Sequence, residues 1–228
     1  MAMAYDPVRN VVVAFGGRID PSLPQYSSET WLWDGHSWSK ASKGPALSES
    51  WAVFDPNVQR TVVYGSASGG IPQTWTWDGA QWHQADVSNP PARSGAGMAF
   101  DSSSGTLLLF GGIGLQTMTL LNDTWAWNGS AWAKLNPSHS PSPRQAFGIA
   151  SFSAQREVVL IGGNSQHGFV NDAWRWIGSD WVQAPGVGAR GDAVAVDIGS
   201  AVLLFGGEDT NSYKNDSFVW NGSTWAAS

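Results

Sequence analysis

A tryptophan pattern that recurs five times constrains this chain more than any other feature. Each copy begins with an apolar run that ends in glycine, such as residues 11–17 with the sequence VVVAFGG. A Trp-x-Trp pair follows, and a third Trp lies five residues after the second. Of the 15 Trp, 14 occupy these positions, and Phe218 replaces the first Trp of the fifth copy. The 228 residues are therefore predicted to form a repeat protein.

Each copy is expected to contain four short β-strands. The apolar run does not alternate with polar residues, which predicts a strand buried on both faces. The Trp-x-Trp pair has the period of a strand, so both rings lie on one face. Strands three and four are joined through Asp-Gly or Asn-Gly, a strong hairpin signal, in four copies. The fourth copy has Ile177-Gly178, and because Ile disfavours a positive φ we expect a different turn there.

The hairpins predict where the Trp rings are buried. A two-residue loop would pair Trp31 with Trp38, and a four-residue loop would pair Trp33 with Trp38. Either register places all three rings on one face. A single hairpin cannot cover that face, so a neighbouring repeat is expected to pack on it. The 14 repeat Trp are thus predicted to form the core between repeats.

Four-stranded repeats of this length, with Gly-Gly after strand two and an aromatic residue on strand four, resemble kelch repeats. The similarity is to the bacterial type and to the central domain of galactose oxidase. Kelch repeats form the blades of β-propellers. The resemblance implies one all-β domain over residues 1–228, a five-bladed kelch-like β-propeller with four antiparallel strands per blade. The blades are predicted at residues 1–41, 45–86, 90–136, 141–184 and 190–228.

Five repeats leave the assembly open to several interpretations. A closed ring predicts a monomer, and a ring that does not close alone predicts a homo-oligomer, because an open arc would expose a Trp face. The chain could be a natural short propeller, a piece of a longer array or an engineered protein.

Composition excludes several classes. There is no Cys, so disulfides, thiolate metal sites and the Cys–Tyr cross-link of kelch-like copper oxidases are excluded. The net charge of −6, with 12 Lys and Arg, argues against a nucleic-acid partner. No apolar run reaches the ~18 residues of a membrane span. The start has no signal-peptide pattern, so a soluble chain of unknown localisation is expected.

The long loops of the repeats are the predicted binding site. In a four-stranded blade, the loops after strand two and the starts of the inner strands share one end, which we call the mouth. The loops are residues 18–28, 66–72, 113–122, 164–171 and 208–215. The predicted ligand-binding residues of the mouth are Arg18, Tyr26, Glu49, Trp51, Arg93, Arg144, His167, Phe169, Arg190, Asp192 and Tyr213.

Two groups in the mouth have alternative interpretations. The arginines could recognise carboxylates or phosphates, as in kelch proteins that bind acidic peptides. Alternatively, they are repeat positions that pair with Asp123, Asp172 or Asp216 of a neighbouring blade. Trp51 is aligned with the small residues Gly97, Gly148 and Ala193. It is expected either to plug the central channel or to form a platform for a ligand.

No catalytic or cofactor motif is recognisable, so neither a catalytic residue nor a cofactor is predicted. Glu208 and Asp209, with Glu49 and Asp192, could contact a cation such as Ca²⁺, but they lack a ligand spacing and no metal is predicted. The leading hypothesis is a binding module for a peptide, protein or glycan. The alternatives are a sugar- or small-molecule-processing enzyme of the isomerase or lyase type, using Arg93, Arg144, Glu49 and Asp192, and a structural propeller without a ligand.

Overall fold

The computed structural model describes residues 1–19 and 25–228, so the predicted mouth loop 18–28 lies partly outside the described residues. The described chain is all-β and consists of several small antiparallel sheets, which confirms the predicted fold class at that level. It contains no helix of the length and hydrophobicity that a membrane crossing requires.

The strands of the described residues, in chain order, are β1 (Ala2–Asp6), β2 (Val11–Phe15), β3 (Thr30–Trp33), β4 (Trp38–Lys40), β5 (Ser50–Asp55), β6 (Arg60–Ala67), β7 (Ile71–Trp77), β8 (Trp82–Ala85), β9 (Arg93–Ser94), β10 (Gly97–Asp101), β11 (Thr106–Gly114), β12 (Leu120–Trp127), β13 (Trp132–Leu135), β14 (Arg144–Gln145), β15 (Gly148–Phe152), β16 (Glu157–Ile161), β17 (Asn164–Ser165), β18 (Gly168–Phe169), β19 (Ala173–Trp176), β20 (Trp181–Ala184), β21 (Val194–Asp197), β22 (Val202–Phe205), β23 (Ser217–Trp220) and β24 (Trp225–Ala227).

Each sequence repeat forms its own sheet, and we number the repeats 1 to 5. The strand orders are β1-β2-β3-β4, β5-β6-β7-β8, β10-β11-β12-β13, β15-β16-β19-β20 and β21-β22-β23-β24. β9 adds to β11 in the third sheet, and β14-β17-β18 form a small sheet beside the fourth. The order of four neighbouring strands per repeat is the one expected from the sequence.

The chain divides into two compact units. The first contains Met1–Arg93 with the hairpin tip Trp127–Trp132, and the second contains Ser94–Ala126 and Ala133–Ser228. Repeats 1 and 2 thus belong to the first unit, and repeats 4 and 5, with most of repeat 3, to the second. The prediction of a single domain remains a prediction.

The outer hairpins have four-residue loops stabilised by the Asp or Asn that begins them. Trp33 lies opposite Trp38, which selects the four-residue register. The Oδ1 atom of Asp34 accepts hydrogen bonds from the backbone N–H groups of His36 and Ser37, at 2.7 and 2.8 Å. Gly35 has a φ of 97°, a conformation that costs glycine little.

The hairpin of repeat 4 corrects one expectation. Ile177 donates its backbone N–H to the carbonyl oxygen of Asp180, as Asp34 does to Ser37, so the loop is the same. The positive φ falls on Gly178, at 87°, and not on Ile177. The prediction of a different turn was wrong because it assigned the left-handed conformation to the wrong residue.

In the first unit, the hairpin Trp rings are buried against the preceding sheet. Trp82 of repeat 2 packs on Phe15 of repeat 1, with ring centroids 4.6 Å apart. Phe15, Leu47 and Val63 form a buried cluster on which the partly buried Trp75 and Trp82 pack. The Trp rings of repeat 2 therefore form a core with repeat 1, as predicted.

The second unit repeats this arrangement at both of its sheet-to-sheet contacts. Phe110 of repeat 3 contacts Trp181 of repeat 4, with ring centroids 5.3 Å apart. Leu108 and Leu160 lie in the same buried cluster as these two rings. A further buried cluster joins Phe152 and other side chains of repeat 4 to the apolar side chains of repeat 5.

The third Trp of a repeat also makes a polar contact with the preceding repeat. Its indole N–H donates to the hydroxyl of the threonine that directly precedes the first Trp of the third strand there. The pairs are Trp82 with Thr30 at 2.8 Å, Trp132 with Thr74 at 2.8 Å and Trp181 with Thr124 at 3.0 Å. A buried indole N–H without an acceptor is costly, so these bonds fix the register of one sheet on the next.

Repeat 5 lacks this acceptor, because Ala173 occupies the threonine position in repeat 4. Trp225 donates instead to the backbone carbonyl of Pro185. The second Trp of repeat 4 makes a contact that its equivalents do not. Trp176 donates its indole N–H to Asp101 of repeat 3. Repeat 4 has Phe152 in place of Asp101, and in the described residues the buried indole N–H groups of Trp77, Trp127 and Trp220 have no hydrogen-bond partner.

The Trp rings of repeat 1 depart from the prediction. Trp31 and Trp38 are 37% and 48% exposed, whereas Trp181 is 1% exposed. The expectation that all 14 repeat Trp are core residues was wrong for these two. Each Trp hairpin is covered by the sheet that precedes it, and no described residue of the chain covers repeat 1 in that way.

The contact between repeats 3 and 4 yields a stability prediction. Trp181→Ala should lower the free energy of unfolding by about 3–5 kcal/mol, because it removes a buried ring and leaves a cavity. Urea denaturation monitored by circular dichroism measures this. Ile177→Ala, an exposed position in the same hairpin, should change it by less than ~0.5 kcal/mol. Equal effects of the two variants would contradict the inter-repeat core.

Candidate functional site

The arginines that precede the inner strands are buried. Arg93, Arg144 and Arg190 are at most 2% exposed. Arg144 donates from Nη1 and Nη2 to the two carboxylate oxygens of Asp172, at 2.5 and 2.8 Å. Arg190 makes the same bidentate pair with Asp216, at 2.8 and 3.2 Å. These two guanidinium groups therefore stabilise the fold and are not presented to solvent.

The Gly-Gly motif explains how this pair is held. Gly162 has a φ of 61°, and its N–H donates to the backbone carbonyl of Asp172. Its own carbonyl oxygen accepts a hydrogen bond from Arg144. A Cβ at Gly162 would overlap the carbonyl oxygen of Arg190, so only glycine fits. The same glycine thus connects both members of the ion pair. Arg144 and Asp172 belong to one repeat, which corrects the expectation of a partner from a neighbouring blade.

The carboxylate of this pair is held ionised. Burial of Asp172 acts to raise its pKa and is the largest single influence. The hydrogen bonds from Arg144 and Trp174 and the charge of Arg144 together outweigh it, so the pKa lies below the usual 3.8. The hydrogen bond from Arg190 likewise lowers the pKa of Asp216. Neither carboxylate has the raised pKa that a general acid near neutral pH requires.

Repeat 2 has lost both members of the pair together. Leu47 lies where repeats 3, 4 and 5 have arginine, and it is fully buried. Gln73 lies where they have aspartate. The Oε1 atom of Gln73 accepts the indole N–H of Trp75 at 2.9 Å, as the carboxylate of Asp172 accepts that of Trp174 at 2.8 Å. The second function of the acidic residue, to orient the first Trp, is therefore retained without the charge.

The starts of the inner strands in the second unit are connected by a backbone ladder. The N–H of Ala146 donates to the carbonyl of Gly95 at 2.9 Å, and the N–H of Asp192 donates to that of Ala146 at 2.7 Å. All three residues have a positive φ, of 62°, 55° and 52°. The Asp192 side chain is exposed and makes no hydrogen bond in the described part of the chain. It is therefore free to contact a ligand.

Trp51 is partly buried in the first unit. It lies opposite Tyr64 in the register of β5 and β6. The two rings are stacked, with centroids 6.1 Å apart and an interplanar angle of 19°. Tyr64 is buried, donates its hydroxyl to the carbonyl of Pro91 at 2.8 Å and contacts Trp132 edge-on. Trp51 thus rests on a rigid support, and Glu49 beside it is exposed.

The strand register corrects the alignment of Trp51 in repeat 5. Gly97 lies opposite Phe110, and Gly148 lies opposite Ile161. In repeat 5 the residue opposite Phe205 is Val194 and not Ala193. The position of Trp51 is therefore occupied by Gly97, Gly148 and Val194 in repeats 3, 4 and 5. Among these four repeats, repeat 2 alone has an aromatic ring there.

The remaining predicted residues lie on loops, except Phe169, which ends the two-residue strand β18. Arg18 and Tyr26 form an isolated backbone bridge, and Arg18 is exposed. Tyr213 is exposed and forms a bridge with Glu208. Phe169 packs against the backbone of Gly191, while the adjacent loop exposes His167.

The acidic loop residues are already engaged. The carboxylate of Asp209 accepts a hydrogen bond from Nζ of Lys214 at 2.6 Å, which together with two backbone N–H groups lowers its pKa to about 2. In the described residues, no group of three or more acidic or His side chains could hold a metal ion. The Ca²⁺ alternative around Glu208 and Asp209 therefore gains no support.

Sequence reasoning missed a groove of about 600 Å³ in the first unit, between the outer strand of repeat 2 and the hairpin tip Trp127–Trp132. Arg60 and Asp86 contribute opposite charges to its wall. His83 lies on it too and contacts the carboxylate of Asp78 at 2.7 Å. The groove lies at the end of the sheets opposite the mouth, where strand one joins strand two and strand three joins strand four, and we call this the tight-turn end. A signal for it would have been Arg60, a charged residue beginning an apolar run.

No known family model matches the chain, and no curated protein matches it.

The Arg144–Asp172 pair predicts a rescue experiment. Arg144→Leu should lower the free energy of unfolding by roughly 3 kcal/mol, because it leaves a partly buried carboxylate unpaired. The double variant Arg144→Leu/Asp172→Gln copies repeat 2 and should recover most of that loss. Urea denaturation of the three proteins measures it. A double variant no more stable than the single one would show that the pair is not a self-contained unit.

The same pair predicts a pH dependence. Because the pKa of Asp172 is lowered in the folded chain, its contribution is complete above the usual pKa of 3.8 and is lost as the pH falls below it. The unfolding midpoint of the parent chain should therefore decrease more between pH 7 and pH 3 than that of Arg144→Leu/Asp172→Gln. Identical decreases would contradict a lowered pKa at Asp172.

Proposed function

We propose that the five sheets are the blades of a kelch-like β-propeller that acts as a binding module for a peptide, protein or glycan at its loop-rich mouth. The repeat length, the four-strand order of each sheet and the Gly-Gly turns support the kelch-like architecture. The one observation that carries the binding proposal is Trp51. A half-buried ring on a rigid aromatic support is a surface on which a ligand ring or chain can stack.

The mouth residues favour one ligand class over the others. Arg144 and Arg190 form internal ion pairs, so their guanidinium groups do not serve to bind the carboxylates of an acidic peptide. The exposed side chains that remain include Glu49 near Trp51 in the first unit, and its carboxylate accepts hydrogen bonds from hydroxyl groups. An aromatic platform with a carboxylate acceptor suits a neutral glycan, and we propose that class first.

The enzyme alternative has no specific observation in its favour. Burial raises the pKa of Asp55, the direction expected of a general acid. However, Asp55 ends β5 at the tight-turn end, four residues from Trp51 and thus roughly 13 Å away along the strand. It is not a mouth residue, and the proposal of a binding module is preferred.

An array experiment tests the proposal. Labelled protein is applied to neutral oligosaccharides, sialylated oligosaccharides and acidic peptides. We expect binding to at least one neutral oligosaccharide and an affinity at least about tenfold lower for Trp51→Ala, since stacking area is lost. Circular dichroism confirms that the variant is folded.

Two controls separate the possible sources of binding. Ile177→Ala removes an exposed apolar side chain from the tight-turn end and should leave the affinity unchanged. The double variant Arg144→Leu/Asp172→Gln should also leave it unchanged if the platform, and not the arginine, recognises the ligand. The proposal is wrong if no arrayed compound binds or if Trp51→Ala binds as well as the parent chain.

A further inference from the structure

The contacts between consecutive repeats use two complementary faces. One face ends with the large side chain that precedes the Gly-Gly turn, and the other presents the third Trp of the next repeat. Within the units, the aromatic pairs and their centroid distances are Phe15 with Trp82 at 4.6 Å, Tyr64 with Trp132 at 5.7 Å and Phe110 with Trp181 at 5.3 Å. The same interface is therefore built repeatedly from equivalent positions.

Repeat 1 presents one of these faces to solvent. The strand register places Met3, Tyr5, Trp31, Trp33 and Trp38 on one side of its sheet, and we call this the Trp face. Trp38 is 48% exposed, whereas its equivalents Trp132 and Trp181 are buried. In the described residues, the Trp38 indole N–H has no hydrogen-bond acceptor, although three of its equivalents donate to threonine.

Repeat 5 presents the other face to solvent. Val194, Val196 and Phe205 lie on one side of its sheet, and we call this the apolar face. Phe205 is 55% exposed, whereas the equivalent Phe15 and Phe110 are at most 1% exposed. Ser217 lies opposite Phe205 in the register and provides a hydroxyl at the position of the threonine acceptors. This hydroxyl donates to the carbonyl of Ser228 and accepts from the Ser228 hydroxyl, which leaves it one further lone pair as an acceptor.

We propose that the Trp face binds the apolar face of a second copy of this chain. The docked pair would reproduce the internal interface, with Phe205 of one copy on Trp38 of the other and the Trp38 indole N–H donated to the hydroxyl of Ser217. Both faces are solvent-exposed in the single chain. The Trp face supplies the third Trp with its indole N–H, and the apolar face supplies the aromatic ring and the hydroxyl acceptor that this Trp contacts in the internal interface. The contact is heterologous, so copies assemble head to tail into a closed ring or an extending chain.

The Trp face exposes enough apolar surface for an interaction. Met3, Tyr5, Trp31 and Trp38 are 55%, 54%, 37% and 48% exposed. A fully packed aromatic side chain buries roughly 150–250 Å², so these exposed fractions leave roughly 300–500 Å² for a partner to cover. Exposed apolar patches of this extent usually mark an interaction surface.

A complementation experiment tests the proposal. Light scattering after size-exclusion chromatography should give the parent chain a mass of at least two chains. Trp38→Glu and Phe205→Glu each place a charge on one face, and each variant alone should have a lower mass than the parent. An equimolar mixture of the two variants should recover a species of two chains, because each contributes the intact face that the other has lost. Circular dichroism and the unfolding midpoint establish that both variants are folded.

The other outcomes are equally decisive. A parent chain with the mass of one chain at every concentration would overturn the proposal, whether the ring closes on itself or the faces stay open. Association that survives Phe205→Glu would show that Trp faces bind each other, which also overturns it. Failure of the variant mixture to associate would show that the two faces are not partners. Ile177→Glu, a charge at the tight-turn end, is the matched control and should keep the parent mass.

Discussion

The structure depends on the burial of each Trp hairpin against the sheet that precedes it. A single repeat cannot bury the apolar faces of its own sheet, so its stability depends on its neighbours. The ring of the third Trp contacts the aromatic side chain before the Gly-Gly turn, and its N–H donates to a threonine. The apolar contact supplies most of the energy, while the hydrogen bond selects the position. Neighbouring repeats therefore stabilise one another pairwise, as in other repeat proteins.

Much of this architecture could be predicted from the sequence, because periodicity and turn residues act locally. The apolar runs, the Trp-x-Trp strands and the hairpins lie where the pattern placed them. The hairpin register was left open, since a pattern of period two does not specify loop length. The turn at Ile177 was mispredicted because a sequence shows a Gly nearby but not which residue adopts the positive φ. The exposure of Trp38 depends on which sheets have a neighbour, and this is not a local property.

The site was predictable in residue type and less so in role. From the sequence, Arg144 and Arg190 could bind a ligand or pair with aspartate. Because both are buried and ion-paired in the structure, the second interpretation is the correct one. A sequence displays a charge without its solvent exposure. The signal that could have decided the question was in repeat 2, where Leu47 and Gln73 replace the basic and the acidic residue together. A pair that is lost as a unit is structural. Trp51 was identified because it alone among the Trp falls outside the repeat.

The contacts between repeats are not equal in strength, and this has a consequence for how the chain comes apart. Repeat 5 leaves one face of its sheet in solvent, since Phe205 is 55% exposed, and Ala173 deprives its third Trp of the threonine acceptor found at three other contacts. In a repeat protein, the weakest junction determines whether unfolding is a single transition. The boundary between repeats 4 and 5 is thus a natural point of fraying, where the sheet of repeat 5 can separate while repeat 4 remains folded.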